Sequence, residues 1–352
     1  MALPLDFDAT RTRAEHIADH KALHRVYDRA AQVAAGGSIQ AAIDAAQVVS
    51  TGNGTVRLGP GVWVNDVSPK VVHPEGLHIK GAGPFRTIIR PAADTDGLQV
   101  EAARYGHQFK LSDLSIEGGA AGLHILPGGE TDLTLDRVFF TGQTTANVLT
   151  ETGTYNVRAT DCYFRSAPNG VKVTVFGHNW HFDSCRFQLS TDAAIDAFRA
   201  RSWQFDNCLF ENNAGHVARL RQVHTVTFRG GWLERNGIVD DVPMFVVTGD
   251  PPDGETDQRS WDVAFEHIFQ SHSPTVFLDA SAYAARVSFI RQQTGSCEVR
   301  LPGGHVLPYA PGEGRILNMV AAVDYCFGAE DTLWREGIGA DGVETHVQVV
   351  TP

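Results

Sequence analysis

An eight-residue phrase recurs along the middle of this chain and limits the folds that the chain can adopt. Its copies begin at Leu111, Leu135, Ala159, Phe182, Phe205, Phe228 and Ala264, at offsets of 24, 24, 23, 23, 23 and 36 residues. In the copy FDNCLFEN, Cys208 and Phe210 face one side of a strand while Leu209 and Glu211 face the other. A period in the twenties built from such strands is typical of a solenoid, in which each coil stacks on the last.

Two further kinds of strand repeat with the same period. The set between the phrases comprises LHI at 123, VKV at 171, AIDAF at 194, VARL at 217, MFVV at 244 and VFL at 276. The set directly before the phrases comprises LTL at 133, NVRA at 156, WHF at 180, WQF at 203 and VTF at 226. Three strands per coil predict an all-β chain that forms a right-handed parallel β-helix. We expect the longest step to hold an insertion over residues 249–261 that leaves the solenoid wall.

The composition fits a soluble globular protein, since 43% of the residues are hydrophobic and 20% are charged. The net charge of −12 argues against nucleic-acid and anionic-membrane partners, which both reward clustered Lys and Arg. We find no apolar run long enough for membrane insertion and no apolar core of a secretory signal near the start of the chain. We therefore expect the chain to fold in a cytoplasm.

The cysteines, at positions 162, 185, 208, 297 and 326, form no CxxC pair. Neither a zinc site nor a redox motif is therefore indicated. Cys162, Cys185 and Cys208 share the inward side of the phrase and should stack roughly 4.8 Å apart on successive coils. We interpret them as a ladder of small apolar side chains in the core, in preference to a disulfide or a metal site.

The residues before the repeat resemble the opening of the pectate-lyase-like β-helix superfamily. Their order is GSIQAAIDAA (37–46), TGNGTVRLGPGVWV (51–64) and GLHIKGAG (76–83). The resemblance implies an amphipathic helix that plugs the first coil, followed by a strand, a Pro-Gly turn and a strand that ends in glycines. Ser38 can cap this helix. Four apolar residues lie on one face of the helix, namely Ile39, Ala42, Ile43 and Ala46.

The first 35 residues differ from the repeat and place a histidine at every fourth position, at His16, His20 and His24. The segment HIADHKALH resembles the short H-x-x-x-H-N-x-L-H helix near the start of many bacteriophage tail and fibre proteins, with Lys21 in place of the usual Asn. The resemblance implies a tailspike or tail-fibre-like protein that is carried in the virion and attached to other phage tail proteins. Three histidines on one helix face can also bind metal, but we interpret them as a polar stripe and predict no metal site.

These patterns divide the chain into three parts. We expect a helical virion-attachment segment over residues 1–35, the β-helix over residues 36–295 and a small β region over residues 296–352. The last part lacks the 23-residue period and contains turn-rich strands such as THVQVV. We expect it to cap the last coil.

Outward residues of successive coils are neighbours in a β-helix, and this brings two glutamates together. Glu211 and Glu234 are 23 residues apart in the column that follows the inward aromatic residue. Their predicted separation of about 5 Å is that of the two carboxylates in a retaining glycoside hydrolase. Both are therefore candidate catalytic residues. The alternative, which we favour, is a solvated column without a chemical role.

A second group of charged residues lies on the neighbouring sheet. It consists of Asp192, Asp196, Arg199, Arg219 and Arg221, with His124 and Lys172 one and two coils earlier. The two aspartates are candidate catalytic residues, and the five basic residues are candidates for binding an acidic polysaccharide. The set resembles the combination of Asp and Arg that β-helical polysaccharide lyases use for calcium-assisted proton abstraction. The alternative, which we favour, is surface salt bridging, and we predict no cofactor except calcium in the case of a lyase.

The other outward column of the phrase is apolar where a free-standing solenoid would be polar. It reads Ser115, Phe139, Tyr163, Arg186, Leu209, Trp232 and Ile268. Exposed apolar stripes usually mark a partner. We expect the subunit interface of a homotrimer at Phe139, Tyr163, Leu209, Trp232 and Ile268. The alternative is a glycan that stacks on the three aromatic rings.

Together these observations predict a phage tail protein that contacts a host-surface polysaccharide and assembles in the host cytoplasm. One alternative is a depolymerase on the same scaffold, either a polysaccharide lyase or a glycoside hydrolase. A second alternative is a purely structural component of the tail or baseplate.

Overall fold

The computed structural model describes residues 30–33, 37–49, 54–72, 76–101, 107–128, 131–239, 241–248, 261–272, 274–280, 287–290, 297–300, 306–309, 318–320, 332–338 and 344–350. The fold is the predicted right-handed parallel β-helix. Within each coil, side chains alternate between the core and the outer surface. The outward positions of neighbouring coils are aligned by the strand pairing, so this pairing determines which side chains can form a site.

Two rows of strands form the first sheet. One row consists of β1 (Ala30–Val33), β2 (Thr55–Leu58), β5 (His78–Lys80), β8 (His107–Glu117), β10 (Thr131–Thr141), β12 (Gly153–Thr160), β16 (His181–Asp183), β19 (Ala200–Asp206), β22 (His224–Arg229), β25 (Trp261–Glu266) and β28 (Val287–Ile290). The other row consists of β3 (Gly61–Asn65), β6 (Thr87–Pro91), β13 (Tyr163–Arg165), β17 (Arg186–Gln188), β20 (Leu209–Glu211), β23 (Trp232–Glu234) and β26 (Phe269–Ser271). The long strands β8 and β10 run through both rows. A short strand that the sequence did not predict, β15 (Phe176–His178), pairs with β12 and β19.

The second sheet closes each coil. It consists of β4 (Lys70–Val71), β7 (Leu98–Val100), β9 (Ala121–Ile125), β11 (Ala146–Thr150), β14 (Asn169–Val173), β18 (Ala193–Phe198), β21 (His216–Arg221), β24 (Phe245–Thr248), β27 (Val276–Asp279), β29 (Cys297–Arg300) and β30 (Val306–Tyr309). Its strands pair in parallel up to β29, and β30 pairs with β29 in the antiparallel sense. The strands predicted between the phrases all lie in this sheet.

A residue in the left-handed region stands at the corner between the two rows of the first sheet. These corner residues are Asp113, Arg137, Asp161, Ser184, Asn207, Gly230 and His267, and the non-glycine members have φ between 51° and 57°. Asp and Asn adopt this conformation more readily than most residues because their short polar side chains can bond locally. The corner turns the chain without breaking the alternation. The third position of each phrase is therefore set by the backbone.

The core consists of ladders in which like side chains stack one coil apart. Phe205 lies between Phe182 and Phe228, with ring centroids 4.8 and 4.6 Å away and the rings nearly parallel. Cys162 and Cys185 are buried and free, as is Cys208 on the next coil. Burial raises the pKa of the Cys162 and Cys185 thiols, which keeps them uncharged. The predicted apolar cysteine ladder is therefore confirmed.

The predicted plug is helix α1 (Ile39–Val49). The Ser38 Oγ accepts a hydrogen bond from the Ala41 backbone N–H at 3.2 Å, so Ser38 caps the helix as expected. The predicted apolar stripe is buried. The helix packs beside β1, whose four residues pair in parallel with β2. The helical prediction for the N-terminal segment is therefore wrong at residues 30–33, which extend the solenoid by one strand.

The structure corrects the register of the last phrase by one residue. Phe228 pairs with Phe265, at an offset of 37 residues, and Trp232 pairs with Phe269. Ile268, which the sequence assigned to the outward interface column, faces the core and is 3% exposed. A shift of one residue along a strand moves every side chain to the opposite face. The interface assignment of Ile268 is therefore wrong, and Phe269 takes its place.

The described residues near the C-terminus include a small antiparallel sheet of β31 (Asn318–Val320), β32 (Thr332–Ile338) and β33 (Glu344–Val350). The histidine helix and most of the 249–261 insertion lie outside the described residues, so these features and the three domain boundaries remain predictions. In the described ranges, no helix is both long enough and apolar enough to cross a bilayer.

Candidate functional site

The outer face of the second sheet carries most of the charged residues that the sequence singled out. We call it the charged wall and define it by His124, Lys172, Asp192, Asp196, Phe198, Arg199, Arg219 and Arg221. Strand pairing aligns His124, Leu149, Lys172, Asp196 and Arg219 in one column with one residue per coil. The structure corrects the expected spacing: Lys172 is one coil from Asp196, and His124 is three coils from it because Leu149 occupies a position between them. Neighbouring positions are roughly 4.8 Å apart.

Two aspartates on this wall hold two arginines. Arg219 donates to both carboxylate oxygens of Asp192, at 2.5 and 3.2 Å. Asp196, which is 3% exposed, accepts from Arg221 at 2.8 Å and lies 3.6 Å from Arg219. Hydrogen bonding to Arg219 lowers the pKa of Asp192, since it stabilises the ionised carboxylate. The salt-bridged arrangement favoured from the sequence is present, and it fixes the arginine side chains in position.

Phe198 forms an aromatic platform at the edge of the wall. The guanidinium carbon of Arg199 lies 5.1 Å from the Phe198 ring centroid, and that of Arg221 lies 5.8 Å from it. The Arg199 Nε also donates to the Gln222 side chain at 3.1 Å. Cations at this distance from a ring are attracted to its face. The wall therefore presents a half-buried ring with two guanidinium groups close to it.

Lys172 differs from Arg219 and Arg221, which are each paired with an aspartate. It is half-buried, and its position in the column is next to Asp196, but among the described residues no carboxylate forms an ion pair with it. An ammonium group is compact and strongly hydrated, so it attracts anions without a fixed orientation. Lys172 therefore leaves one positive charge on the wall for a ligand.

His124 belongs to a three-residue cluster that the sequence did not predict. Its Nδ1 lies 2.8 Å from Asp96 Oδ2, and its Nε2 lies 3.0 Å from Glu151 Oε2. Asp96 is buried and also accepts from the Ala121 backbone N–H at 2.9 Å. Burial opposes the charged imidazole, but the hydrogen bonds to Asp96 and Glu151 outweigh it and raise the pKa of His124. The two carboxylates therefore stabilise the charged form of His124 at this end of the wall.

The partners of His124 were missed because they are not part of the repeated phrase. Asp96 precedes β7 and Glu151 follows β11, which places them 28 and 27 residues from His124 along the chain. Both lie one coil away from β9 in the second sheet. The spacings of 28 and 27 residues differ from the 23- and 24-residue offsets of the phrase, so the period did not identify these neighbours.

Glu211 and Glu234 are adjacent, as predicted, and lie in register on β20 and β23. Both are half-exposed. Glu211 accepts hydrogen bonds from the Gln188 side chain and, at 3.0 Å, from Asn212 Nδ2. Two side-chain amides therefore hold this carboxylate. The pair lies in the second row of the first sheet and is not part of the charged wall.

The outward apolar stripe is longer than the sequence indicated. We call it the apolar column and define it by nine positions paired one coil apart: Val62, Ile88, Ser115, Phe139, Tyr163, Arg186, Leu209, Trp232 and Phe269. Phe85 packs edge-on against Phe139 at 4.9 Å, and Trp232 lies 4.3 Å from Phe269. Trp232 is 44% exposed. Nine coils extend over roughly 40 Å.

Within the described part of the chain, no group of three or more His, Cys, Asp or Glu side chains is arranged to hold a metal ion. Asp192 and Asp196, the acidic residues that a calcium-dependent lyase reaction would use, are held by arginines. Calcium prefers six to eight oxygen ligands from carboxylates, carbonyls and water. These two carboxylates do not fit that role, so we derive no chemical step through a metal.

A family model described as "Right handed beta helix region" matches residues 96–250. A search of curated protein sequences gives no match.

Solved structures with the same fold come from viral and bacterial sources. ORF18 of Geobacillus virus E2 is 11% identical with a TM-score of 0.52, over 96% of this chain and 79% of that chain. The alginate lyase from Paenibacillus sp. str. FPU-7 is 11% identical with a TM-score of 0.60, over 78% of this chain and 98% of that chain. The GH87 alpha-1,3-glucanase from Streptomyces thermodiastaticus strain HF3-3 is 13% identical with a TM-score of 0.51, over 79% of this chain and 66% of that chain. At such identities the likeness concerns the fold, and a β-helix hosts many unrelated functions.

Proposed function

We propose that this protein is a β-helical component of a phage tail that contacts a host-surface polysaccharide through its charged wall. The observation that carries the proposal is the continuous arrangement of Lys172, Arg219, Arg221 and Phe198 on adjacent coils. A polysaccharide is a repeating ligand, and a column of side chains at roughly 4.8 Å spacing offers it repeated contacts. Fixed guanidinium groups recognise carboxylates by paired hydrogen bonds.

Two of the structural relatives are named as an alginate lyase and an alpha-1,3-glucanase, which supports the proposal of a polysaccharide ligand. ORF18 is a viral protein, which supports the proposal of a role in a virion. The resemblance of the His16–His24 segment to helices of phage tail proteins points the same way. Attachment to other tail proteins is part of the same proposal.

The apolar column supports assembly of this chain with copies of itself, and we propose a homotrimer. Seven of its nine positions are apolar or aromatic, and they extend along most of the described β-helix. Aliphatic members such as Val62, Ile88 and Leu209 gain little from a sugar ring but gain free energy when a protein surface covers them. A partner as long as the column is required to cover it, and a second copy of the same solenoid has that length.

Binding of the wall to polysaccharides tests the proposed function. We expect native-gel mobility of the full chain to fall in gels that contain alginate or polygalacturonate. Lys172→Ala should weaken this retardation, because it removes a wall cation that no carboxylate among the described residues pairs with. The control is Arg165→Ala, which removes an exposed cation of the first sheet that has no ion pair within the described part of the chain. If no acidic or neutral polysaccharide retards the wild type, the purely structural alternative is correct.

A depolymerase is the second candidate, and the cluster around His124 favours it. An imidazole whose pKa is raised by two neighbouring carboxylates can serve as a general acid for a leaving group on the same wall. In that case we expect Asp192, Asp196 and the arginines to bind the reacting sugar, and we expect no contribution from Glu211 and Glu234. A reducing-end assay on the retarding polysaccharide decides between binding and cleavage. Addition of calcium or of a chelator tests the calcium requirement of a lyase.

A further inference from the structure

A second set of outward residues lies beside the charged wall, where the chain turns from the second sheet into the first. Strand pairing aligns Tyr155, His178, Arg201 and His224 one coil apart on β12, β15, β19 and β22. Each is at least partly exposed. Its member Arg201 lies two residues after Arg199, so the set adjoins the part of the wall that carries Phe198.

Three rings pack together at one end of this set. The His178 ring lies 4.8 Å from Tyr155 and 5.1 Å from Phe176, measured between ring centroids. Phe176 also lies over Gly153, where an added Cβ would come within 2.1 Å of the Phe176 ring. Gly153 therefore lets the Phe176 ring lie flat against the strand. The result is a half-buried aromatic surface whose rings are held by one another.

Arg201 supplies the charge. It is exposed, it lies between His178 and His224 in the column, and among the described residues no carboxylate pairs with it. Burial lowers the pKa of both imidazoles, and the charge of Arg201 lowers them further. The imidazoles are therefore neutral at neutral pH. Each neutral ring can donate one hydrogen bond and accept another.

We infer that Phe176, Tyr155, His178, Arg201 and His224 form a binding site for a carboxylated sugar, and we call it the ring–arginine patch. The aromatic surface covers the apolar C–H face of a pyranose ring. The neutral imidazoles bond to hydroxyl groups, and Arg201 binds the carboxylate by paired hydrogen bonds. The inference rests on the proposed function for the identity of the polymer as a polysaccharide, and it adds a uronic acid as the sugar class.

Charge complementarity favours this occupant. The whole chain has a net charge of −12, yet here Arg201, with no acidic partner among the described residues, lies between two imidazoles of lowered pKa. A neutral sugar would leave the guanidinium unused. A second copy of this acidic chain would more readily cover the apolar column than a patch that contains a free cation. A monoanionic sugar satisfies both the rings and the charge.

The experiment is a titration of the full-length protein with glucuronate, followed through the NMR signals of ¹³Cε1-labelled histidines. His178→Gln and His224→Gln assign the two signals. Methyl glucuronate, the uncharged ester, and sodium acetate at the same ionic strength are the ligand controls. We expect glucuronate to shift both signals in a saturable way. The ester should bind with at least tenfold lower affinity than glucuronate, and glucuronate should bind Arg201→Gln with a similarly reduced affinity. Arg165→Gln, with an exposed arginine that also lacks an ion pair, should titrate as the wild type does.

The remaining outcomes overturn the inference. Equal shifts with acetate would mean a simple anion site. Unchanged titration of Arg201→Gln, or no shift of either signal, would mean that no carboxylated sugar binds here. A fall in assembly mass for Arg201→Glu would assign the surface to a subunit contact. The proposed function is tested separately by gel retardation. If Lys172→Ala loses retardation by polysaccharide and Arg201→Gln keeps it, only the inference about the ring–arginine patch is contradicted. If the histidine signals shift but no polysaccharide retards the protein, only the proposed function is contradicted.

Discussion

The apolar column and the charged wall are built on the same coils, yet they present opposite chemistry to the outside. Leu209 and Trp232 belong to the apolar column. Arg219 and Arg221 lie between them along the chain and Asp196 lies before Leu209, and all three belong to the charged wall. The inward positions of both faces are alike, because every coil must fill the same core. The repeat therefore constrains the residue types at inward positions, whereas the residue types of each outward column can differ and can suit a different partner.

The largest effect is expected from damage to the core on which both faces rest. Phe205→Ala removes a ring that stacks between Phe182 and Phe228. We expect the free energy of unfolding to fall by about 3–5 kcal/mol, because the cavity in a tightly packed ladder cannot collapse. Urea unfolding measures the loss. The neighbouring outward variant Gln204→Ala should change the free energy by no more than about 0.5 kcal/mol; similar losses in both would mean that the faces do not share this core.

The next effect separates the two faces. Leu209→Lys combined with Trp232→Lys places charges in the apolar column, and burial of unpaired charges is costly. We expect light scattering to report single chains, or the protein to become insoluble, while the wild type has the mass of three chains. Lys172→Ala on the charged wall should keep that mass. A wild type that has the mass of one chain would remove the distinction between the faces.

A smaller effect concerns pH and the contacts of His124 on the charged wall. The raised pKa of His124 means that its charged form stabilises the folded state. This stabilisation is fully present below the unfolded-state pKa of about 6.5 and is lost as pH rises through the higher folded-state pKa. Urea unfolding across this window should show the loss in the wild type and a smaller change in His124→Gln. Equal pH dependence in both proteins would show that Asp96 and Glu151 do not hold the proton.

The smallest effect is expected beside the apolar column. Glu211→Gln and Glu234→Gln each remove one of two like charges that lie in register. Because both side chains are half-exposed, we expect the free energy of unfolding to change by no more than about 0.5 kcal/mol. Any polysaccharide cleavage should be unaffected. Clean loss of a measured cleavage in Glu211→Gln, with the assembly mass unchanged, would show that this pair is catalytic.

The solenoid could be predicted from the sequence because the period and the alternation are both local signals. The alternation within FDNCLFEN indicates which side chains face the core. Its corner residue Asn207 has a left-handed φ of 54°, a conformation that Asn adopts more readily than most residues. The same signals failed at the last phrase, where Ile268 and Phe269 are both apolar and either could face the core. The left-handed residue His267 decides the register, and the sequence does not reveal that conformation for a histidine.

The candidate sites depended on contacts between coils, which the sequence gives only where the period is certain. The Glu211–Glu234 pair could be predicted because both residues lie within copies of the phrase, 23 residues apart. The group of Asp192, Asp196 and the arginines could be predicted because it lies on two successive strands between phrases. Asp96 and Glu151 lie at strand ends, where coil lengths vary, so their approach to His124 was not predicted. The ring–arginine patch depends on β15, a strand that the sequence did not predict.

Hydroxyl-radical footprinting of the wild-type protein tests the division between the two faces most directly. Trp232 is 44% exposed in the single chain, and Phe198 on the charged wall is partly exposed. We predict that Trp232 and Phe269 are protected from oxidation in the wild-type assembly and become reactive in Leu209→Lys, while Phe198 reacts equally in both. Oxidation of Trp232 in the wild type at the rate seen in Leu209→Lys would contradict the account, because it would mean that no subunit covers the apolar column.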